Sequence, residues 1–313
     1  MKQDDSAPNQ AVGFTPEQLG FEPATGDLGE ATPSAWQRTL GGRVVTFRML
    51  RTLEELAYAE DLQRDVFGVT DYDLISAGEL IVVHETGGEV IGAFVDEHSG
   101  EQAVGCLFGW GGFVDGRPRI VSDFMAVRKT MRSGRIGASL KRLQAAIALA
   151  RGFQEIIWTV DPLRAANARL NFGKLGAYAD RYIENLYGET YGEAIYGGLP
   201  SDRIQVTWPI ASPAVQRHLV QADHASAEIE PAAAAVFDAR RPEVERALIP
   251  IPKNIDTIVK SDRAAARAWR MRLRGELQVA FAAGLAITGF VSDVDPGQEL
   301  AAYVVERTTR GKG

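Results

Sequence analysis

Along this chain, apolar and polar positions show no regular period for about the first forty residues. Residues 1–40 are rich in Gly, Pro, Ala and acidic side chains, which predicts a flexible N-terminal extension or a strap ordered by docking. Regular pattern begins at Val44-Val45-Thr46-Phe47-Arg48-Met49-Leu50, a β-branched run suited to a strand. Thr52 and Glu55 have capping-box spacing, predicting a helix to about Phe67 with Gly68 beyond its end. Leu80 to Val83 and Val90 to Val95 read as strands on either side of a Gly87-Gly88 turn. Ala103 to Trp110 and Arg119 to Val127 read as two more, with Asp115-Gly116 marking a turn between them. Together these runs predict an antiparallel meander.

The period then changes. Ile136, Leu140, Leu143 and Ile147 recur every three to four residues, the mark of an amphipathic helix, with Gly152 as its C-cap. Glu155 to Val160 is the next strand. Asp161-Pro162 reads as N-cap and first turn of a helix that passes through Ala165, Ala168 and Leu175 and stops at Gly176. After Trp208-Pro209 the composition shifts. Residues 211–247 are Ala-rich and weakly patterned, and 254–283 look helical. Ala286 to Phe290 and Ala301 to Val305 read as a closing hairpin across Asp295-Pro296-Gly297. The expected organisation is a core at 41–210 and a C-terminal α/β extension at 211–313 that packs on the core.

Composition narrows the chemistry. A net charge of −7 argues against general nucleic-acid binding, which needs a basic surplus. One cysteine, Cys106, builds neither a disulfide framework nor a cysteine zinc site, and His84, His98, His218 and His224 show no ligand spacing, so no metal is expected. No signal pattern opens the chain and no apolar run reaches a membrane span, which predicts a cytoplasmic protein.

Chemistry concentrates at residues 125–140, Met-Ala-Val-Arg-Lys-Thr-Met-Arg-Ser-Gly-Arg-Ile-Gly-Ala-Ser-Leu. A strand enters a loop of Arg, Ser and Gly, and a helix leaves it. Backbone N–H groups and the helix N-terminus then point at one spot, an anion site suited to phosphate.

The order strand, Arg132-x-x-x-x-Gly137-Ala138, amphipathic helix, strand, Asn167-bearing helix resembles the core of the GCN5-related N-acetyltransferase superfamily. Arg132 and Gly137 match that loop, and Arg135 replaces its middle glycine. A narrower likeness, to a bacterial branch of predicted acetyltransferases, rests on several runs. They are Asp161-Pro162-Leu163, Asn167-Ala168-Arg169, Asn171, Lys174-Leu175-Gly176-Ala177, Tyr182, Asn185, Tyr187-Gly188-Glu189 and Gly198 through Arg203. It continues from Ile251-Pro252 to Tyr303 and covers about residues 44–307. One activity associated with that branch is N-succinylation of amino acids.

The resemblance implies a mixed, mostly antiparallel central sheet flanked by helices. It implies an acyltransferase that moves an acyl group from acyl-CoA to an amine of a small molecule such as an amino acid, or of a peptide. Two strands splay apart, and the pantetheine arm lies between them along Phe124, Met125, Ala126 and Val127. Arg132, Ser133, Gly134, Arg135, Ile136, Gly137 and Ala138 hold the diphosphate, and Asn167 bonds the pantetheine or acyl region. The usual tyrosine proton donor aligns with Phe172, leaving Tyr178, Tyr182 and Tyr187 as nearby donors. Asp123 is the first candidate for the base, with Glu79 and Glu189 as other sources. Ser201, Asp202 and Arg203 are candidates for binding a substrate carboxylate. The basic run Arg128, Lys129, Arg132, Arg135, Lys141 and Arg142 suits the phosphates of coenzyme A. It equally suits docking of an acyl carrier protein bearing a phosphopantetheine arm, or is simply a solvated helix face. A homodimer, and a binding protein that kept the fold without the chemistry, stay open.

Overall fold

The computed structural model describes residues 13–24, 34–71, 73–98, 100–188, 198–221, 234–294, 297 and 299–308, with the side chains of 132–134 and 221 outside that description. The class is mixed α/β. Strands β1 (Glu22–Pro23), β2 (Ala35–Leu40), β3 (Arg43–Met49), β4 (Glu89–Glu97), β5 (Gly100–Val114) and β6 (Arg117–Val127) form the antiparallel meander. Helix α3 (Ile136–Ala150) then carries the chain to β7 (Ile156–Val160), which pairs with β6 in parallel. Strands β8 (Tyr178–Ile183) and β9 (Arg203–Trp208) follow, then β10 (Arg246–Pro252), β11 (Leu285–Val291) and β12 (Leu300–Arg307). The sheet runs β1-β2-β3-β4-β5-β6-β7-β9-β8-β11-β12-β10, and the last three strands join β8 through the single pair Ile287–Ala179.

Two apolar layers sandwich the meander. On one face Leu50, Leu56, Leu62, Leu80, Val90, Phe94, Cys106 and Phe108 pack under α1 (Leu53–Phe67) and α2 (Ala77–Leu80). On the other face Ile91, Leu107 and Ile120 meet Ile136, Leu140 and Leu143 of α3, in a core that continues through Trp158 and Trp208 to Leu273, Leu277 and Tyr303. Alternate residues of each strand feed opposite layers, as the pleat requires.

The Thr52–Glu55 capping box and the left-handed Gly68 close α1 at both ends as the spacing predicts. Three readings are corrected. Residues 81–83 are not a strand: Ser76 and Glu79 form a second capping box that starts α2, and the chain continues as a 3-10 turn to Thr86. Part of residues 1–40 belongs to the fold, since Phe14, Leu19, Phe21 and Trp36 are buried and β2 pairs with β3 along its length. Asp161 caps no helix. It accepts the Leu163 N–H at 2.9 Å, while α4 (Ala165–Ala168) starts later and widens into a π-helical turn at Arg169–Lys174.

In the C-terminal part, α5 (Pro213–Gln221), α6 (Ile255–Ser261) and α7 (Arg263–Ala282) accompany β10–β12. The side chains of Asn254 and Asp262 cap α6 and α7. No described helix is long and apolar enough to cross a membrane.

Candidate active site

The site is built from the parting of two strands. β6 and β7 pair only at Ile120–Ile156 and Val121–Ile157. From Ser122 onward they diverge, because β5 and β9 hold the two strands on separate ladders. A β-bulge at Phe108/Gly109 opposite Ser122–Phe124 bends β6 at the same place. The result is a fork with its root at Val121 and its mouth at the loop after Val127. Phe124, Met125, Ala126 and Val127 lie on its β6 prong. Phe124 stacks on Phe108 at 4.9 Å on the α1 side, whereas Met125 and Val127 pack toward α3.

The mouth is cationic. Arg135 occupies the left-handed region (φ 61°) immediately before α3, where glycine would sit without steric penalty. Arg169 and Lys174 lie in the π-helical turn that follows α4. Burial pushes the Lys174 ammonium down, and the charges of Arg169, Arg135 and Arg142 push it further. Arg135 and Arg169 thus act on Lys174 together with Arg142, which is itself buried. A Cβ on Gly137 would meet only the side chains of Met125 and Val127, at 3.5 Å and beyond. The side chains of Arg132, Ser133 and Gly134 lie outside the described residues, and Ile136 is core. Ala138 follows in the first turn of α3, and Asn167 is exposed on α4.

The basic run does not survive as one surface. Lys141 and Arg142 are buried, Arg142 donating to the Leu219 carbonyl at 3.0 Å. Arg128 donates to the Ala103 carbonyl at 2.7 Å and pairs with Asp65. The reading of these six residues as a continuous solvated face or docking face is corrected. A helix whose second half reads Ala145-Ala146-Ile147-Ala148-Leu149-Ala150 has no polar side to offer.

At the root, Asp123 lies in the bulge, on the sheet face that carries α1 and α2. Its side chain is solvent-exposed. Desolvation by the protein beside it raises its pKa, opposed by a hydrogen bond from the Trp110 indole. On the opposite face lies a buried polar cluster. Lys141 Nζ donates to Ser122 Oγ at 2.7 Å and to Gln144 Oε1 at 3.1 Å, and sits 3.8 Å from the Trp158 ring centroid. Ser122 Oγ donates to Gln144 Oε1 at 3.2 Å. Glu89 is fully buried beside them, 3.6 Å from Arg151, and neither of its oxygens meets a hydrogen-bond donor. The Gln144 amide pulls on this carboxyl from nearby without closing a bond. Sequence reasoning missed this cluster. The available signal was the all-round apolar second half of α3, which buries whatever polar residues its first half carries.

Other sequence candidates are placed elsewhere. Tyr178 and Tyr182 stand on β8, separated from β7 by β9, and do not face the fork root. The Tyr182 hydroxyl donates to Asp202 at 2.6 Å, and burial and that carboxylate raise its pKa, so it is anchored. Tyr187 is exposed, and its ring lies 5.1 Å from the Arg203 guanidinium. Asp202 is buried and also accepts from Arg274 Nε at 2.9 Å, Arg274 Nη2 at 2.7 Å and the Asn185 N–H at 3.0 Å. Ser201 Oγ accepts the Tyr187 N–H at 2.9 Å and donates within the same turn to Asn185 Oδ1 and the Gly188 carbonyl. Ser201 and Asp202 thus tie the 185–188 turn and α7 to the core, which corrects the substrate-binding reading for these two. Glu79 is consumed by its capping box, and Glu189 lies outside the described residues. A separate open concavity of about 570 Å³, lined by Arg43, Val44, Val95, Asp96, Glu97 and His98, lies at the far edge of β3 and β4, not at the fork. Among the described residues no group of three or more His, Cys, Asp and Glu side chains is arranged to hold a metal ion.

No protein-family model matches the sequence, and no curated protein matches it. Solved structures do. A chain of the NatC complex bound to Gag peptide and CoA is 16% identical, covering 53% of this chain and 98% of its own, with a TM-score of 0.43. An N-acetyltransferase from Staphylococcus aureus is 16% identical over 53% of this chain and 98% of its own, with a TM-score of 0.41. An acetyltransferase of the GNAT family from Streptococcus pneumoniae is 16% identical over 52% and 97%, with a TM-score of 0.40. These likenesses span about half of this chain.

Proposed function

We propose that this protein is an N-acyltransferase that takes an acyl group from acyl-CoA and places it on a small amine such as that of an amino acid. The observation that carries the reading is the β6–β7 fork, which opens toward the loop and helix start that carry Arg135, with Arg135 and Arg169 close enough to act on the charge of Lys174. Crowded cations that disfavour one another's charge are relieved by a polyanion. Coenzyme A brings a diphosphate and a 3′-phosphate on a slender arm that fits between two strands. Arg135 holds a backbone conformation that costs about 1 kcal/mol, which is consistent with an arginine kept for its charge. The arm lies along Phe124 to Val127 and ends at the root, beside the bulge. There Asp123, whose pKa is raised by desolvation, accepts a proton from the attacking amine. The extension from residue 211 packs beside the core, and Arg203 supplies a cation for an acceptor carboxylate.

Native mass spectrometry with coenzyme A and, separately, with a phosphopantetheinylated carrier protein tests the donor. Micromolar coenzyme A binding is the expected result. Binding only to the carrier protein, whose arm has one phosphate, would transfer the donor role to it, and binding to neither would leave a non-catalytic protein. Arg135→Gly is expected to weaken coenzyme A binding about tenfold, as loss of a charge-assisted contact does, while the folded chain gains a few tenths of a kcal/mol from relieved strain. Once an acceptor is identified, Asp123→Asn is expected to lower turnover by about 10²–10⁴ with little change in donor affinity.

A further inference from the structure

The reaction proposed above needs an acid as well as a base. When the amine attacks the thioester carbonyl carbon, an N–C bond forms, and the C–S bond then breaks with its electron pair on sulfur. The amine's proton goes to Asp123, and the thiolate must be met by another. Phe172, where the resemblance expects the tyrosine donor, is buried against the Tyr303 ring, and the Tyr182 hydroxyl is committed to Asp202.

One protic cation does stand at the fork root. Val121 and Ile157 are the last paired residues, so Ser122 and Trp158 are the first side-chain positions where the strands part. Lys141 Nζ touches both, 2.7 Å from Ser122 Oγ and 3.8 Å from the Trp158 ring centroid. It therefore spans the root from the α3 face, while Asp123 borders it from the α1 face. Base and cation lie on opposite sides of the sheet at one level, so the acceptor can approach from one side while sulfur departs toward the other.

We propose that Lys141 is the proton donor to the departing thiolate, its ammonium passing a proton to sulfur directly or through the Ser122 hydroxyl as the C–S bond breaks. The products are the amide and the free thiol. Asp123 then releases its proton to solvent, and Lys141 regains one after the thiol leaves, which closes the cycle. This assignment rests on the acyl-CoA reading of the fork. The charged groups around Lys141 are Glu89 on β4, which favours the ammonium, and Arg151 beyond it, which pairs with Glu89. Burial pushes the Lys141 ammonium down to about 7 against the pull of Glu89, a range in which a proton can be given and regained near neutrality.

The test titrates the thiol of bound, unacylated coenzyme A by its ultraviolet thiolate absorbance, in the full-length protein and in Lys141→Met. Lys141 and the bound thiol titrate as a coupled pair, so part of the thiolate absorbance is expected to rise near neutrality, below the range of the free coenzyme, and Lys141→Met is expected to abolish that shift. A bound thiol in the unaltered protein that titrates like free coenzyme A overturns the assignment without any variant, and so does an unchanged shift in Lys141→Met. Failure of coenzyme A to bind at all is a different result, which removes the acyl-CoA reading and this assignment with it. With an acceptor in hand, Lys141→Met is expected to slow transfer from acetyl-CoA by about 10²–10³. It should slow transfer from the thioester of a more acidic aryl thiol much less. Equal losses with both donors would mark Lys141 as structural.

Discussion

Two buried ionic groups lie in one hydrophobic core and have opposite fates. Asp161 and Arg270 are in direct contact at 2.7 Å, with side chains 5% and 1% exposed. Burial alone would raise the Asp161 carboxyl, yet Arg270, the Leu163 N–H and Arg164 overcome it and hold the group low. Arg270 is correspondingly raised. Glu89 and Lys141 are as deeply buried but do not touch. Burial pushes Glu89 up to about 7 and Lys141 down to about 7. Contact geometry, not burial, decides which pair is locked in its charged form and which is poised to exchange protons. The locked pair fastens α7 to the turn after β7. The poised one lies under the fork.

Removing one partner of the locked pair is the harshest way to test the contrast. Arg270→Met leaves Asp161 buried without its cation and is expected to cost about 3–5 kcal/mol, read as a lower urea midpoint. Because the folded carboxyl is held low, the contribution of Asp161 is present above the unfolded carboxylate range and is lost as pH falls through the folded value. The variant's deficit should therefore shrink in acid.

The poised pair has the opposite dependence. Folded Glu89 binds its proton more tightly than the unfolded chain does, so stability falls as pH rises from about 4.5 through about 7. Folded Lys141 binds its proton less tightly, so stability recovers as pH climbs from about 7 toward 10.5. Glu89→Gln removes the first limb. It is expected to stabilise the protein on the order of 2 kcal/mol above neutrality and to be near neutral in effect at mildly acidic pH. Denaturant midpoints measured on both sides of neutrality check this, and a uniform loss at all pH values would show that Glu89 is ionised and paired.

The smallest effect concerns the rim of the locked region. Tyr182→Phe removes one hydroxyl from Asp202, which keeps Arg274 and the Asn185 N–H. A loss of about 1 kcal/mol is expected, with no change in acyl-transfer rate. A large drop in rate at unchanged stability would return Tyr182 to the reaction.

The local pattern alone determined much of this protein. Capping at Thr52, the meander, the period change at Ile136 and the closing hairpin are each written in residues close in sequence, where propensity and turn chemistry act directly. The strand through Phe124–Val127 and the helix after it were legible because a strand running into a Gly- and Arg-containing loop is a local signature. Residues 81–83 misled because a β-branched run says nothing of the capping box just before it, and hydrogen bonds to Glu79 prevailed over side-chain preference. The tertiary structure alone decided the rest, because those outcomes depend on distant partners. Asp202 looked like a ligand group until Arg274, seventy-two positions away, closed on it. Lys141 looked like part of a solvated basic face until β4, β6 and β7 surrounded it. Charge is a property of the residue, but whether that charge is exposed, locked or poised depends on what the fold places within a few ångströms.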